Sequence, residues 1–129
     1  MKYILIAEDK SRIASFIAKG LHKNGFETAI ASDGEQAVQM AQSGSFDLLL
    51  LDINLPLKDG WSVLAELRKH QYLLPVIIVT ACQDFQGHLA AVEKGANGYI
   101  VKPFRFADLL GRIKTVLENY TEEKINEET

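Results

Sequence analysis

The sequence predicts an α/β domain in which repeated βα units build a parallel sheet. Short apolar runs alternate along the chain with longer stretches of helical period, the pattern expected of βα repeats. Two of the runs, Phe46-Asp47-Leu48-Leu49-Leu50-Leu51 and Val76-Ile77-Ile78-Val79, are almost continuously apolar. Strands buried on both faces of a parallel sheet read this way, so these two are expected at its centre.

The strands are expected over Tyr3 to Ala7, Glu27 to Ala31, Phe46 to Leu51, Val76 to Thr80 and Tyr99 to Val101. Between the first two, Ile13, Phe16, Ile17 and Leu21 fall at helical spacing; near the end Leu109, Leu110, Ile113, Val116 and Leu117 do the same. Both stretches read as amphipathic helices laid on the sheet. Ser32-Asp33-Gly34-Glu35 is an N-terminal capping signal for the second helix, and Trp61 is expected to pack at the start of the third. Gly25, Gly44 and Gly95 each stand between a helical stretch and a strand, where a left-handed helix cap suits glycine. The result is five βα units without internal repeat, low-complexity tract or linker. One domain is expected over residues 1–120, with 121–129 a polar, acid-rich tail that reads as a frayed end or the start of a linker.

Composition narrows the class. With 129 residues and 47% hydrophobic side chains there is material for one core. A net charge of -3 gives no basic field, so direct binding of nucleic acid by this domain is not expected. The single cysteine, Cys82, cannot close an intrachain disulfide, and no apolar run resembles a signal peptide or reaches spanning length. The reading is a soluble cytoplasmic protein with no membrane partner.

In an open parallel sheet, ligands bind beyond the carboxyl ends of the strands. Here the first strand ends in Glu8-Asp9, the third in Asp52, the fourth in Thr80-Ala81 and the fifth in Lys102-Pro103. Each alone reads as an ordinary loop-starting or helix-capping residue; together they describe one pocket. Converging carboxylates repel unless a cation neutralises them. Magnesium (or manganese) suits them, because it takes oxygen ligands, uses one or two carboxylates and shares its remaining positions with water and phosphate. Asp9 and Asp52 are the expected direct ligands, Glu8 acts through water, and the backbone carbonyl of Asn54 adds an oxygen. Lys102 and Thr80 are phosphoryl-binding groups, and Asp52, between the acid pair and the Thr/Lys side, is the nucleophile. Ala81 is small enough to let its backbone N–H approach a phosphoryl group.

Glu8-Asp9, Leu51-Asp52-Ile53-Asn54-Leu55-Pro56 with Asp59-Gly60, Thr80-Ala81, and Gly95-Ala96 through Tyr99-Ile100-Val101-Lys102-Pro103-Phe104 together resemble the receiver domains of two-component response regulators, from Met1 to about Tyr120. The resemblance implies a flavodoxin-like (βα)5 doubly wound sheet of strand order 2-1-3-4-5. It implies phosphorylation of Asp52 by a histidine kinase or histidine phosphotransfer protein. The domain would catalyse its own phosphorylation and dephosphorylation, yet it would not be an enzyme turning over a separate substrate. It further implies a switch in which Thr80 moves toward the phosphoryl group and Tyr99 turns inward, reshaping the fourth helix, fifth strand and fifth helix, with Lys102-Pro103 cis. The readers of that surface would be an effector protein, a fused output domain, or a second copy in a phosphorylation-dependent homodimer.

The chain departs from the family pattern in places. Glu8 replaces the commoner Asp, lengthening the reach at equal charge. Asn97 and Gly98 stand where one transcription-factor subclass has two acids, and His88 stands near its fourth-helix basic residue. Asp108 and Arg112 do resemble that subclass, so its dimer is expected to lack partners here. The rivals fit less well. A haloacid-dehalogenase-like phosphohydrolase wants a second acid where Asn54 stands; a flavin- or nucleotide-binding module wants a Gly/Ser/Thr-rich first loop where Glu8-Asp9-Lys10 stands. A pseudo-receiver, an interaction module not regulated by phosphorylation, is the alternative reading.

Overall fold

A computed structural model describes residues 1–81 and 90–128, with side chains described through Tyr120. In chain order the elements are β1 (Tyr3–Ala7), α1 (Ser11–Lys23), β2 (Glu27–Ala31), α2 (Gly34–Ser43), β3 (Leu48–Asp52), α3 (Gly60–Lys69), β4 (Val76–Thr80), the helical residues 90–93 as α4, β5 (Gly98–Val101) and α5 (Phe106–Glu128). Cys82 and His88, named above, lie outside the described residues.

The sheet is parallel throughout, in the order β2-β1-β3-β4-β5. This is the flavodoxin-like arrangement that the family resemblance implies. β3 is central with β4 beside it, and every residue of both is buried. Side-chain alternation sorts the sheet into two cores. Leu5, Leu49, Leu51 and Ile78 face α2 and α3 with Val63, Leu64 and Leu67, while Ile4, Ile6, Leu50 and Ile77 face α1 and α5 with Ile17, Leu21, Leu109 and Ile113. The runs lack polar alternation because helices cover both faces.

Several expectations are corrected. Gly25 (φ 86) and Gly95 (φ 99) are left-handed as expected, but Gly44 (φ -105, ψ 168) is extended, because the chain leaves α2 directly into an extended segment. Phe16 lies on the predicted stripe of α1 yet is 53% exposed, its ring edge-on to Phe106 at 6.1 Å; Ala14 takes the buried place instead. The capping signal Ser32-Asp33-Gly34-Glu35 does start α2 as expected, with Asp33 as the N-cap. The Asp33 carboxylate accepts from Gln36 N at 2.7 Å, and Gln36 Oε1 accepts from Ser32 N at 2.6 Å. β3 begins at Leu48 rather than Phe46 and takes in Asp52; the Phe46 ring packs at a tilt against Tyr3, with ring centroids 4.4 Å apart. Beyond Tyr120 the backbone stays helical to Glu128, as strong helix formers such as Glu and Lys allow. Trp61 stands in the first turn of α3 as expected, half-buried with the Lys94 amine 4.5 Å from its ring centroid.

One bracing residue carried no sequence signal. Arg68, at the end of α3, donates to Gly95 O through Nε and Nη2, to Tyr72 O through Nη1 and to Asn97 Oδ1 through Nη2. Asn97 Oδ1 also accepts from Val76 N. The entrances of β4 and β5 are thereby tied to α3.

Truncating the centre of the sheet tests this packing. Leu50→Ala, at a site 1% exposed, is expected to lower the unfolding free energy by about 2–5 kcal/mol in denaturant titration. Asp33→Ala should cost about 1 kcal/mol through the lost cap.

Candidate functional site

The carboxyl ends of β1, β3, β4 and β5 meet at one edge of the sheet because the strands are parallel and nearly in register. The side chains delivered there are the expected ones. Glu8 follows β1 and is 3% exposed; Asp52 closes β3 at 4%; Thr80 closes β4 at 6%. These are the buried polar side chains among the described residues. Asp9 is exposed at the mouth, and Lys102 follows β5, half-buried.

Lys102 is fixed by its backbone before its side chain acts. Its N–H donates to Thr80 O at 2.7 Å, continuing the β4–β5 ladder, and the Lys102–Pro103 peptide is cis. The amine then reaches across β4 to Asp52 Oδ2 at 2.5 Å and Glu8 Oε1 at 2.8 Å. One cation therefore bridges carboxylates from β1 and β3. The other Asp52 oxygen, Oδ1, accepts from Asn54 N at 2.8 Å, an Asx-type turn at the start of the loop after β3. The Glu8 backbone N–H donates to Ala31 O at 3.0 Å, which anchors the acid pair to β2.

Charge is shared unequally between the buried acids. Burial pushes Glu8 above the usual carboxylate range, the neighbouring Asp52 adds to this, and Lys102 offsets only part. Burial acts on Asp52 too, but hydrogen bonds from Lys102, Glu8 and the Asn54 N–H outweigh it and hold Asp52 below its ordinary value. Burial alone would lower the Lys102 amine; its bonds to Asp52 and Glu8 raise it instead. Asp52 is thus the more readily ionised member and Glu8 the more readily protonated one.

Glu8, Asp9 and Asp52 can each present a carboxylate oxygen with all of these atoms within 4.8 Å of one another. Opposed ligands of a magnesium ion stand about 4.2 Å apart, twice its bond length. An oxygen-only donor set at this spacing, open to solvent at Asp9, fits a hard divalent cation.

The remaining expected residues fall as follows. Asn54 is exposed two residues past Asp52, and Ala81 is exposed just beyond β4. Tyr99 is 5% exposed, in the core shared with α2 and α3. Asp108 and Arg112 are exposed on α5. Asn97 is engaged with Arg68 and Val76, and a Cβ on Gly98 would come within 3.1 Å of Ile77 and 3.3 Å of Val116, so these two places serve internal packing. Sequence reading gave Gly60 no role of its own. A Cβ there would lie 2.5 Å from Asp52 O and 2.8 Å from Ile53 Cα, and its N–H donates to Ile53 O at 2.8 Å. Only glycine lets α3 start this close behind the Asp52 backbone; the Asp-Gly that opens the helix was its signal.

Comparison with known proteins identifies the family. The family model described as the response regulator receiver domain matches residues 4–114. The transcriptional regulatory protein CusR of Escherichia coli K12 is 37% identical over 114 residues, 88% of this chain and 50% of CusR. PcoR of Escherichia coli is 33% identical over 117 residues, 91% of this chain and 52% of PcoR. This chain therefore spans about half the length of these relatives. Among solved structures, the receiver domain of the Francisella response regulator 1452 superposes with a TM-score of 0.90 at 30% identity, covering 93% of this chain and 99% of that one. TrrA of Thermotoga maritima, solved in complex with Mg(2+)-BeF, gives 0.81 at 33% identity over 90% of this chain and 99% of its own. The family match runs from the first strand into the last helix and takes in every residue of the strand-end site, and the chain therefore belongs to the response regulator receiver domains of two-component systems.

Proposed function

We propose that this receiver accepts a phosphoryl group on Asp52 from a phosphohistidine of a histidine kinase or histidine phosphotransfer protein, at a magnesium (or manganese) site formed by Asp9, Asp52, the Asn54 carbonyl and, through water, Glu8. The observation that carries this reading is Asp52 itself: a carboxylate 4% exposed at the end of the central strand beside Glu8 and Asp9, whose burial is outweighed by its hydrogen bonds, that from Lys102 foremost. The TrrA complex with Mg(2+)-BeF supports the same chemistry here.

An oxygen of Asp52 attacks phosphorus in line with the phosphorus–nitrogen bond, which breaks and returns its electron pair to the imidazole. Held by Asp9, Asp52 and the Asn54 carbonyl, a divalent ion would supply positive charge against the carboxylates and the phosphoryl oxygens. Lys102 exchanges its bond to Asp52 Oδ2 for one to a phosphoryl oxygen, keeping its charge in the pocket. Thr80, buried at the neighbouring strand end, turns its hydroxyl to the phosphoryl group. Tyr99 already lies inward, 5% exposed, so the displacement of Thr80 repacks a buried ring instead of drawing an exposed one in, and the α4–β5–α5 surface changes. A downstream effector, a fused output domain or a second copy reads the change. The subclass dimer loses its acidic partners at Asn97 and Gly98, which leaves Asp108 and Arg112 without them.

Incubation with acetyl phosphate and magnesium should add the mass of one phosphoryl group to the intact protein. Asp52→Asn, or chelation of the metal, should abolish the gain, and a wild-type protein that never gains mass would instead be a pseudo-receiver. Lys102→Ala removes a charge-stabilising donor, and its labelling rate should fall by about a hundredfold or more in a mass-spectrometric time course. An unchanged rate would remove Lys102 from the mechanism.

A further inference from the structure

We infer that Gly34, on α2 and outside the set of chemical groups, is a positioning residue for the metal site, because the β2–α2 turn it closes sets the spacing between the site's two halves. This rests on the metal-binding reading above. Glu8 and Asp9 come from the loop after β1, whereas Asp52 and the Asn54 carbonyl come from β3 and the loop after it. The β2–α2 turn touches both. At its start, Ala31 O accepts from Glu8 N at 3.0 Å; at its end, Gly34 N donates to Pro56 O at 3.1 Å.

The second contact leaves no free space. A Cβ on Gly34 would stand 1.8 Å from Lys58 O and 2.6 Å from the Lys58 carbonyl carbon. These are backbone atoms, so no side-chain rotation relieves the overlap, and α2 and the loop after Asp52 would have to separate. The turn itself is held firm by the Asp33–Gln36 cap and the return bond from Ser32. The loop it presses on has little slack either. Gly60 N ties its far end to Ile53 O, Lys58 N bonds Pro56 O, and Leu57 is kept at φ 68, a left-handed conformation that a branched side chain holds only when its surroundings fix it. A push at Lys58 is therefore transmitted along Leu55–Pro56 toward Asn54 and Asp52 rather than absorbed.

Metal affinity depends on ligand spacing, and loss of an outer support commonly weakens it by about 10–100-fold. Gly34→Ala should accordingly weaken magnesium binding by about tenfold or more, read by titrating the fluorescence of the single tryptophan, Trp61, and independently by the magnesium-induced rise in melting temperature. Gly25→Ala is the control. It places a side chain at φ 86 with nothing within 4 Å, so it strains the fold without touching the site, and it should keep wild-type magnesium affinity despite a lower melting temperature. Equal affinity in Gly34→Ala and wild type would overturn the inference, as would an equal loss in the control. A wild-type protein that binds no magnesium would overturn the metal reading first, which separates the two failures. If Gly34→Ala does not fold, amide exchange in the wild type decides: saturating magnesium should slow exchange of the Gly34 N–H, and exchange unchanged by bound magnesium refutes the coupling.

Discussion

The Lys102 amine, bonded at once to Glu8 and Asp52, is the contact on which the rest of the site depends. Two largely buried carboxylates side by side are unfavourable, and removing water from them makes each harder to ionise. A single cation reaching from β5 over β4 holds one of them charged. Such an arrangement is poor value as stability, since desolvation offsets much of the attraction. Its use lies in specification. It keeps a carboxylate ionised at the centre of an otherwise apolar sheet, and it links the outer strand to the first and third.

That linkage explains why the fold and the chemistry are inseparable here. A parallel sheet brings all its carboxyl ends to one edge, and the two cores on either face keep those ends from moving independently. Ladder bonds set Lys102 from Thr80, and the entrances of β4 and β5 are braced at the opposite edge by Arg68. The strand carrying Thr80 lies between the strand of Asp52 and β5, so a change of charge at Asp52 would have a rigid neighbour through which to act in the switch proposed above.

Much of this was legible in the sequence, for physical reasons that differ by residue. β3 and β4 were readable because burial on both faces leaves no polar alternation, and the strand-end residues because topology assigns them one edge. Phe16 misled because helical periodicity shows which residues share a stripe but not how far the neighbouring layer extends; its ring meets Phe106 at the margin instead of the core. Gly44 misled because glycine after a helix serves equally where the chain simply turns extended. Arg68 was invisible: a basic residue at a helix end reads as solvated, and its acceptors Gly95 and Asn97 lie far along the chain. The roles of Gly34 and Gly60 needed coordinates, since sequence shows a missing side chain but not the backbone that occupies its place.

The most direct test of the account is to locate the acquired phosphoryl group. Borohydride reduction of the acetyl-phosphate-treated protein converts an aspartyl phosphate to homoserine, and peptide sequencing by mass spectrometry then reads the position. Homoserine is expected at position 52 and nowhere else. Reduction at Asp9 or Asp59, or a stable phosphoryl group on a histidine with position 52 unmodified, would contradict it.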